Sequence, residues 1–147
     1  MRCPSCGFDT GSANRRSNPD HARYFALVHR AYHQWPEGHR FQPLNGEHLR
    51  YWLQCAAGPD WRDVKFTFLP DEPATKELLV STIRDILKDD QRKFPIVYKE
   101  GLAVVTPKSI SFSSMSQAEF GKLRDAVTDI IERELGCTVA DLMQEAA

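Results

Sequence analysis

The apolar residues of this chain follow two periods that no single class of secondary structure can satisfy, and this limits its fold more than any other feature. In four stretches they recur at three- and four-residue steps: Tyr24, Phe25, Leu27, Val28, Ala31, Tyr32 and Trp35; Leu49, Trp52, Leu53 and Ala56; Leu78, Leu79, Ile83, Ile86 and Leu87; and Phe120, Leu123, Val127, Ile130, Ile131 and Leu135. That spacing lines one face of an α-helix. Val64-Lys65-Phe66-Thr67-Phe68 alternates instead, as a strand with two unlike faces does. Ile96-Val97-Tyr98 and the run from Leu102 to Thr106 flank Lys99-Glu100-Gly101, the pattern of a β-hairpin. The expected fold is α+β, with four to five helices packed on a small antiparallel sheet that Ile110-Ser111-Phe112 can extend.

Local signals set the helix ends. Ser17 or Asn18 can cap the first helix, Pro19 fits its first turn, Asp20 stands where a capping box needs a carboxylate, and Pro36 ends it. The second is expected over residues 47–57, capped by Asn45, exposing His48, Arg50, Tyr51 and Gln54, and stopped by Gly58-Pro59. The third runs over residues 74–90 with its leucines and isoleucines inward. Ser116 and Glu119 form a capping box for the fourth, which Gly136 closes. Thr138 starts a short terminal helix with Val139, Leu142 and Met143 as an apolar face, for packing within the domain or against a partner.

With 147 residues and 41% hydrophobic content, the chain can bury one core, expected over residues 16–147, with residues 1–15 as an appendage. No apolar run approaches the roughly 20 residues of a membrane span, and the N-terminus lacks the apolar stretch of a secretory signal, so the expectation is a cytoplasmic protein with no membrane partner. Cys3 and Cys6 are too close to staple a fold, and Cys55 and Cys137 stand alone, so a disulfide framework is not expected.

Cys3 and Cys6 instead form a Cys-x-x-Cys knuckle in Arg2-Cys3-Pro4-Ser5-Cys6-Gly7, which lets two thiolates approach one tetrahedral Zn²⁺. The knuckle supplies two ligands of four, and no second knuckle follows. All five histidines lie between His21 and His48, and His29 and His33, four apart on a helix, project from one face. Cys3, Cys6, His29 and His33 are thus a candidate structural zinc site. The alternatives are an unliganded N-terminus and two histidines that only line a polar helix face.

Residues 1–65 carry a net charge of +3 and residues 66–147 carry −4, and eight of the nine cations in the first part are arginine. The arginine fork suits bidentate phosphate contacts and stacking on bases. Arg16, Arg23 and Arg30, spaced by seven, form a basic ridge off the apolar face of the first helix, and Arg50 and the stacking ring of Tyr51 add to it from the second. Local carboxylates can equally well neutralise these cations. Nothing compels an enzyme: there is no phosphate-binding glycine loop, nucleophile elbow or His-Glu-x-x-His pair.

Two blocks carry a resemblance. Residues 16–27, RSNPDHARYFAL, with Trp35-Pro36-Glu37, His48-Leu49-Arg50 and Trp52-Leu53, and the later residues 107–120, PKSISFSSMSQAEF, resemble an uncharacterised family of phage and prophage proteins. More distantly, the order of an Arg-Ser start, an aromatic helix, a Trp-containing helix and a Ser/Met segment leading into a Glu-Phe helix is similar to the lambda Orf (NinB) recombination mediators. That resemblance implies an α+β homodimer in a bacterial host, binding single-stranded DNA and cooperating with single-strand-binding protein and recombinases. The Cys3/Cys6 knuckle departs from that pattern, as does Asp20-His21 where the mediators have Gln. The functional expectation is a phage-type protein binding single-stranded DNA in recombination or replication. The rivals are a module that binds and redirects a host protein and a metal-dependent nuclease built on the histidines.

Overall fold

The computed structural model describes residues 2–3, 8–9, 18–111 and 114–145. In chain order these form β1 (Arg2–Cys3), β2 (Phe8–Asp9), α1 (Asn18–His33), α2 (Gly46–Ala57), a 3₁₀ turn (Pro59–Trp61), β3 (Arg62–Phe68), α3 (Pro73–Leu87), β4 (Phe94–Val97), β5 (Gly101–Pro107), α4 (Gln117–Leu135) and α5 (Val139–Glu145). The described residues are thus α+β, with five α-helices, a three-stranded antiparallel sheet and a two-stranded hairpin. None of their helices is long and apolar enough to cross a membrane. The chain divides into two compact units, Met1–Pro36 with Ser109–Ala147, and Glu37–Lys108.

In the first unit, α1 packs against α4 and α5. Tyr24, Leu27, Val28 and Ala31 are buried, as the helical spacing requires, and so are Phe120, Leu123, Val127, Ile130 and Ile131 of α4. Each of the larger aliphatic side chains and Phe120, removed from water, contributes about 1.5–3 kcal/mol. Tyr24 meets Phe120 edge-on at 5.4 Å between ring centroids, and Asp20 accepts from Gln117 Nε2 at 3.1 Å. The α4 capping box forms as expected: the Ser116 hydroxyl accepts from the Glu119 backbone N–H at 3.2 Å, while the Glu119 carboxylate takes the Ser116 N–H at 3.3 Å. Gly136 ends α4 in the left-handed region (φ 70°), where its N–H reaches Glu132 O at 2.9 Å. The chain then turns into α5, whose Leu142 is buried within this unit. Within the appendage expected over residues 1–15, Phe8–Asp9 pairs antiparallel with Arg2–Cys3 and sets Cys3 opposite Phe8. Ser17, the expected partner of Asp20 in a first-helix capping box, lies outside the described residues.

In the second unit the sheet order is β3-β5-β4. Central β5 is the best buried strand, because the hydrogen-bonded neighbours on both edges and α2 on one face exclude water from Leu102, Ala103 and Val105. Gly101 is obligatory at the start of β5: a Cβ there would stand 2.1 Å from the Thr67 carbonyl oxygen of the paired strand. Ile110 and Ser111 are not part of the sheet. In α2, the Asn45 side chain accepts from the His48 N–H at 2.9 Å, as the cap signal implies.

Expectations of facing fail in this unit at Gln54, at Arg50 and along α3. Gln54 is fully buried rather than exposed, because its amide nitrogen donates to Trp61 O at 2.9 Å and Lys108 O at 2.7 Å, carbonyls at the ends of β3 and β5. In α3 the only buried hydrophobic residue is Val80, while Leu78 and Ile86 are 65% and 72% exposed. The apolar stripe of α3 exists, but most of it lacks cover among the described residues.

Candidate nucleic-acid interface

The loop from Glu37 to Asn45 is folded by its own polar side chains. Gln42 Nε2 donates to Glu37 O at 2.8 Å and His39 O at 2.7 Å, His39 Nδ1 accepts from the Phe41 N–H at 3.0 Å, and His48 Nδ1 accepts from the Leu44 N–H at 3.0 Å. Both imidazoles therefore carry their proton on Nε2 when neutral. These bonds hold Phe41 flat on Trp52, with centroids 4.9 Å apart and planes 7° from parallel. His48 lies on Phe94 in the same manner, at 5.6 Å and 6°, and Phe41 bridges the two pairs at 4.9 Å from His48. The exposed Arg40 guanidinium stands 5.8 Å from the Trp52 centroid. All four rings are half-buried, so together they form an aromatic ledge with a cation at its rim.

Residues 48, 51 and 52 share one side of α2, so Tyr51 continues this surface. Its ring carries Arg50 at 4.5 Å and Arg92 at 5.7 Å. Arg92 is exposed, whereas Arg50 is buried, contrary to expectation, with its side chain 10% accessible. The Arg50 guanidinium is paired with Glu47 one turn earlier and covers Tyr51, so its charge is already matched. Burial raises the Glu47 carboxyl, but the hydrogen bond and charge of Arg50, with a hydrogen bond from Tyr51, outweigh it and hold the group below the usual carboxylate range. Tyr51 is pushed above the usual phenol range by burial and by Glu47. Arg50 thus stiffens the Tyr51 platform, and Arg40 and Arg92 are the cations placed to meet an anion beside it.

The first-helix ridge is divided by the fold of its own unit. Arg23 is 75% exposed and lies 3.7 Å from Asp20. Arg30 donates through Nη1 to Met143 O at 2.8 Å, joining α1 to α5. Arg16 lies outside the described residues.

On the same helix the Nε2 atoms of His29 and His33 are 3.1 Å apart. Two nitrogens sharing a tetrahedral zinc at about 2.05 Å are separated by about 3.3 Å, so this pair fits half of such a site. Cys6 and the side chain of Cys3 lie outside the described residues, among which no group of three or more His, Cys, Asp or Glu could hold a metal ion. Cys55 is buried and its thiol is pushed up to about 12 by burial, against the opposing charge of Arg62, which keeps it protonated and a poor ligand.

Helical spacing puts Trp52 on the apolar face of α2, but it does not reveal that Trp52 stacks on Phe41 and that His48 stacks on Phe94. The available signal was the density of aromatic and basic residues between His39 and Trp52; the participation of Phe94 and Arg92 had no local signal. The sequence matches no family model, no curated protein and no solved structure.

Proposed function

We propose that this protein binds single-stranded DNA, in the setting of phage recombination or replication that its sequence resemblance implies, and that bases stack on the aromatic ledge of α2 while Arg40 and Arg92 meet phosphates. The flat Phe41–Trp52 pair with Arg40 at its edge carries this reading. A π-face accepts any unpaired base, and a rim cation adds a sequence-independent phosphate contact. Duplex DNA, with its bases already stacked, offers the ledge much less. The zinc held by Cys3, Cys6, His29 and His33 belongs to the same proposal as a structural element of the other unit.

Fluorescence anisotropy with a labelled oligonucleotide across a salt series tests it. Phe41→Ala should weaken single-strand binding by about 1–3 kcal/mol, the worth of one stacked base. Arg40→Ala with Arg92→Ala should lower the slope of log affinity against log salt by about 1.4, from two lost phosphate contacts. Absence of binding at low salt overturns the reading and favours the protein-interaction module, for which the exposed Leu78 and Ile86 of α3 speak.

A further inference from the structure

β3 lies at the edge of the sheet, pairing with β5 on one side and, among the described residues, with no strand on the other. Its residues from Asp63 to Phe68 are all exposed, including Val64 at 54%, Phe66 at 43% and Phe68 at 79%. A straight edge with these side chains is a template for another strand, and β3 has neither a proline nor a bulge to block it.

The direction of its free backbone groups follows from the hydrogen bonds at its two ends. Lys108 N–H donates to Trp61 O at 3.0 Å, and Leu69 N–H donates to Glu100 O at 3.0 Å. The odd-numbered residues therefore address β5, and Arg62, Val64, Phe66 and Phe68 present their N–H and C=O groups to the open edge.

We infer that a second copy of this chain occupies that edge, with β3 pairing antiparallel to its symmetry mate about a two-fold axis at Val64, giving a continuous six-stranded sheet. Charge selects both the occupant and the register. Centred on Val64, the pairing sets Asp63 opposite Lys65 of the mate, twice, on one face. It also sets Arg62 opposite Phe66, twice, on the other, around a Val64–Val64 contact. Centring on Lys65 would overlap the whole strand but oppose two ammonium groups, which is destabilising. Centring on Phe66 would leave Lys65 facing Thr67 and Asp63 beyond the strand. An isologous contact of this kind needs only a patch that complements itself, and β3 has one. The inference is independent of the DNA-binding proposal and concerns the opposite end of the sheet order from β4.

Analytical ultracentrifugation of the full chain tests it. The parent should be a dimer. Lys65→Asp and Asp63→Lys, each placing like charges opposite each other twice, should each weaken self-association about tenfold or more. Mixed together, the two variants should restore a dimer as a heterodimer, because one chain then presents only carboxylates at the two positions and the other only ammonium groups. Val64→Pro removes an outward N–H without touching the bonds to β5, and should give a monomer with an unchanged circular dichroism spectrum. A parent that stays monomeric, or a dimer whose affinity is the same in both charge variants and in their mixture, overturns the inference.

Discussion

The Arg30 guanidinium donates to the Met143 carbonyl oxygen at 2.8 Å, a bond across 113 residues that ties the last turn of α1 to α5. It satisfies one of the carbonyls left open near the end of α5 and places a cation where the helix dipole favours it. Arg30 is therefore partly a structural residue, although its place on the polar side of α1 reads as surface. Arg23, one heptad earlier and exposed, has only a loose pairing with Asp20.

The two arginines should separate in a stability measurement. Arg30→Ala is expected to cost about 1–3 kcal/mol, the range for losing a charge-assisted hydrogen bond to a part-buried carbonyl. Arg23→Ala should stay within about 0.5 kcal/mol of the parent. Urea unfolding of the two single variants checks this, and equal midpoints would remove the structural role of Arg30.

Phe120 is fully buried against Tyr24. Phe120→Ala should cost about 3–5 kcal/mol through lost transfer energy and an unfilled cavity. A loss below about 1 kcal/mol in the same assay would mean that the α1–α4 contact is not central to the first unit.

His48 is held below the usual histidine range by burial, and its Nδ1 accepts the Leu44 N–H, a bond that a protonated ring cannot accept. The unfolded chain therefore takes up this proton more readily than the folded one. The contribution to stability is complete above the unfolded value of about 6.5 and is lost as pH falls from there through the lowered folded value. Relative to His48→Asn, whose side-chain oxygen can still accept from Leu44, the parent should lose stability on acidification below about pH 6.5. Unfolding midpoints of both proteins over a pH series would show it, and a constant difference between them would count against it.

Gly101→Ala should disrupt the pairing of β3 with β5, because the new methyl would press on the Thr67 carbonyl oxygen and on the ring of Phe66. Overpacking of this kind costs about 1–3 kcal/mol or more. Faster amide exchange along β5 in the variant would locate the damage.

Zinc content decides the proposed metal site. Protein purified without added metal is expected to hold about one zinc per chain by elemental analysis. Cys3→Ser with Cys6→Ser should abolish it, and His29→Ala with His33→Ala should weaken it, since a tetrahedral structural site needs four ligands. Unchanged zinc in the cysteine variant would exclude the knuckle.

The sequence by itself determined the features that depend on near neighbours. The Ser116–Glu119 box, the Asn45 cap and the Gly136 stop each join groups within about one helical turn, so the residues that make the bond are also the residues that signal it. The buried faces of α1 and α4 follow from spacing in the same way, because a continuous apolar stripe has to leave water. Only the tertiary structure decided what lies opposite each face. Gln54 is buried because Lys108, 54 residues away, brings a carbonyl to it. Phe94 completes the ledge from a strand that no local pattern links to the loop holding Phe41. Arg50 is withdrawn from the polar surface because its stem is covered while Glu47 and Tyr51 take its charge, and the stripe of α3 points outward because an apolar face specifies that a partner is wanted, but not which surface supplies it.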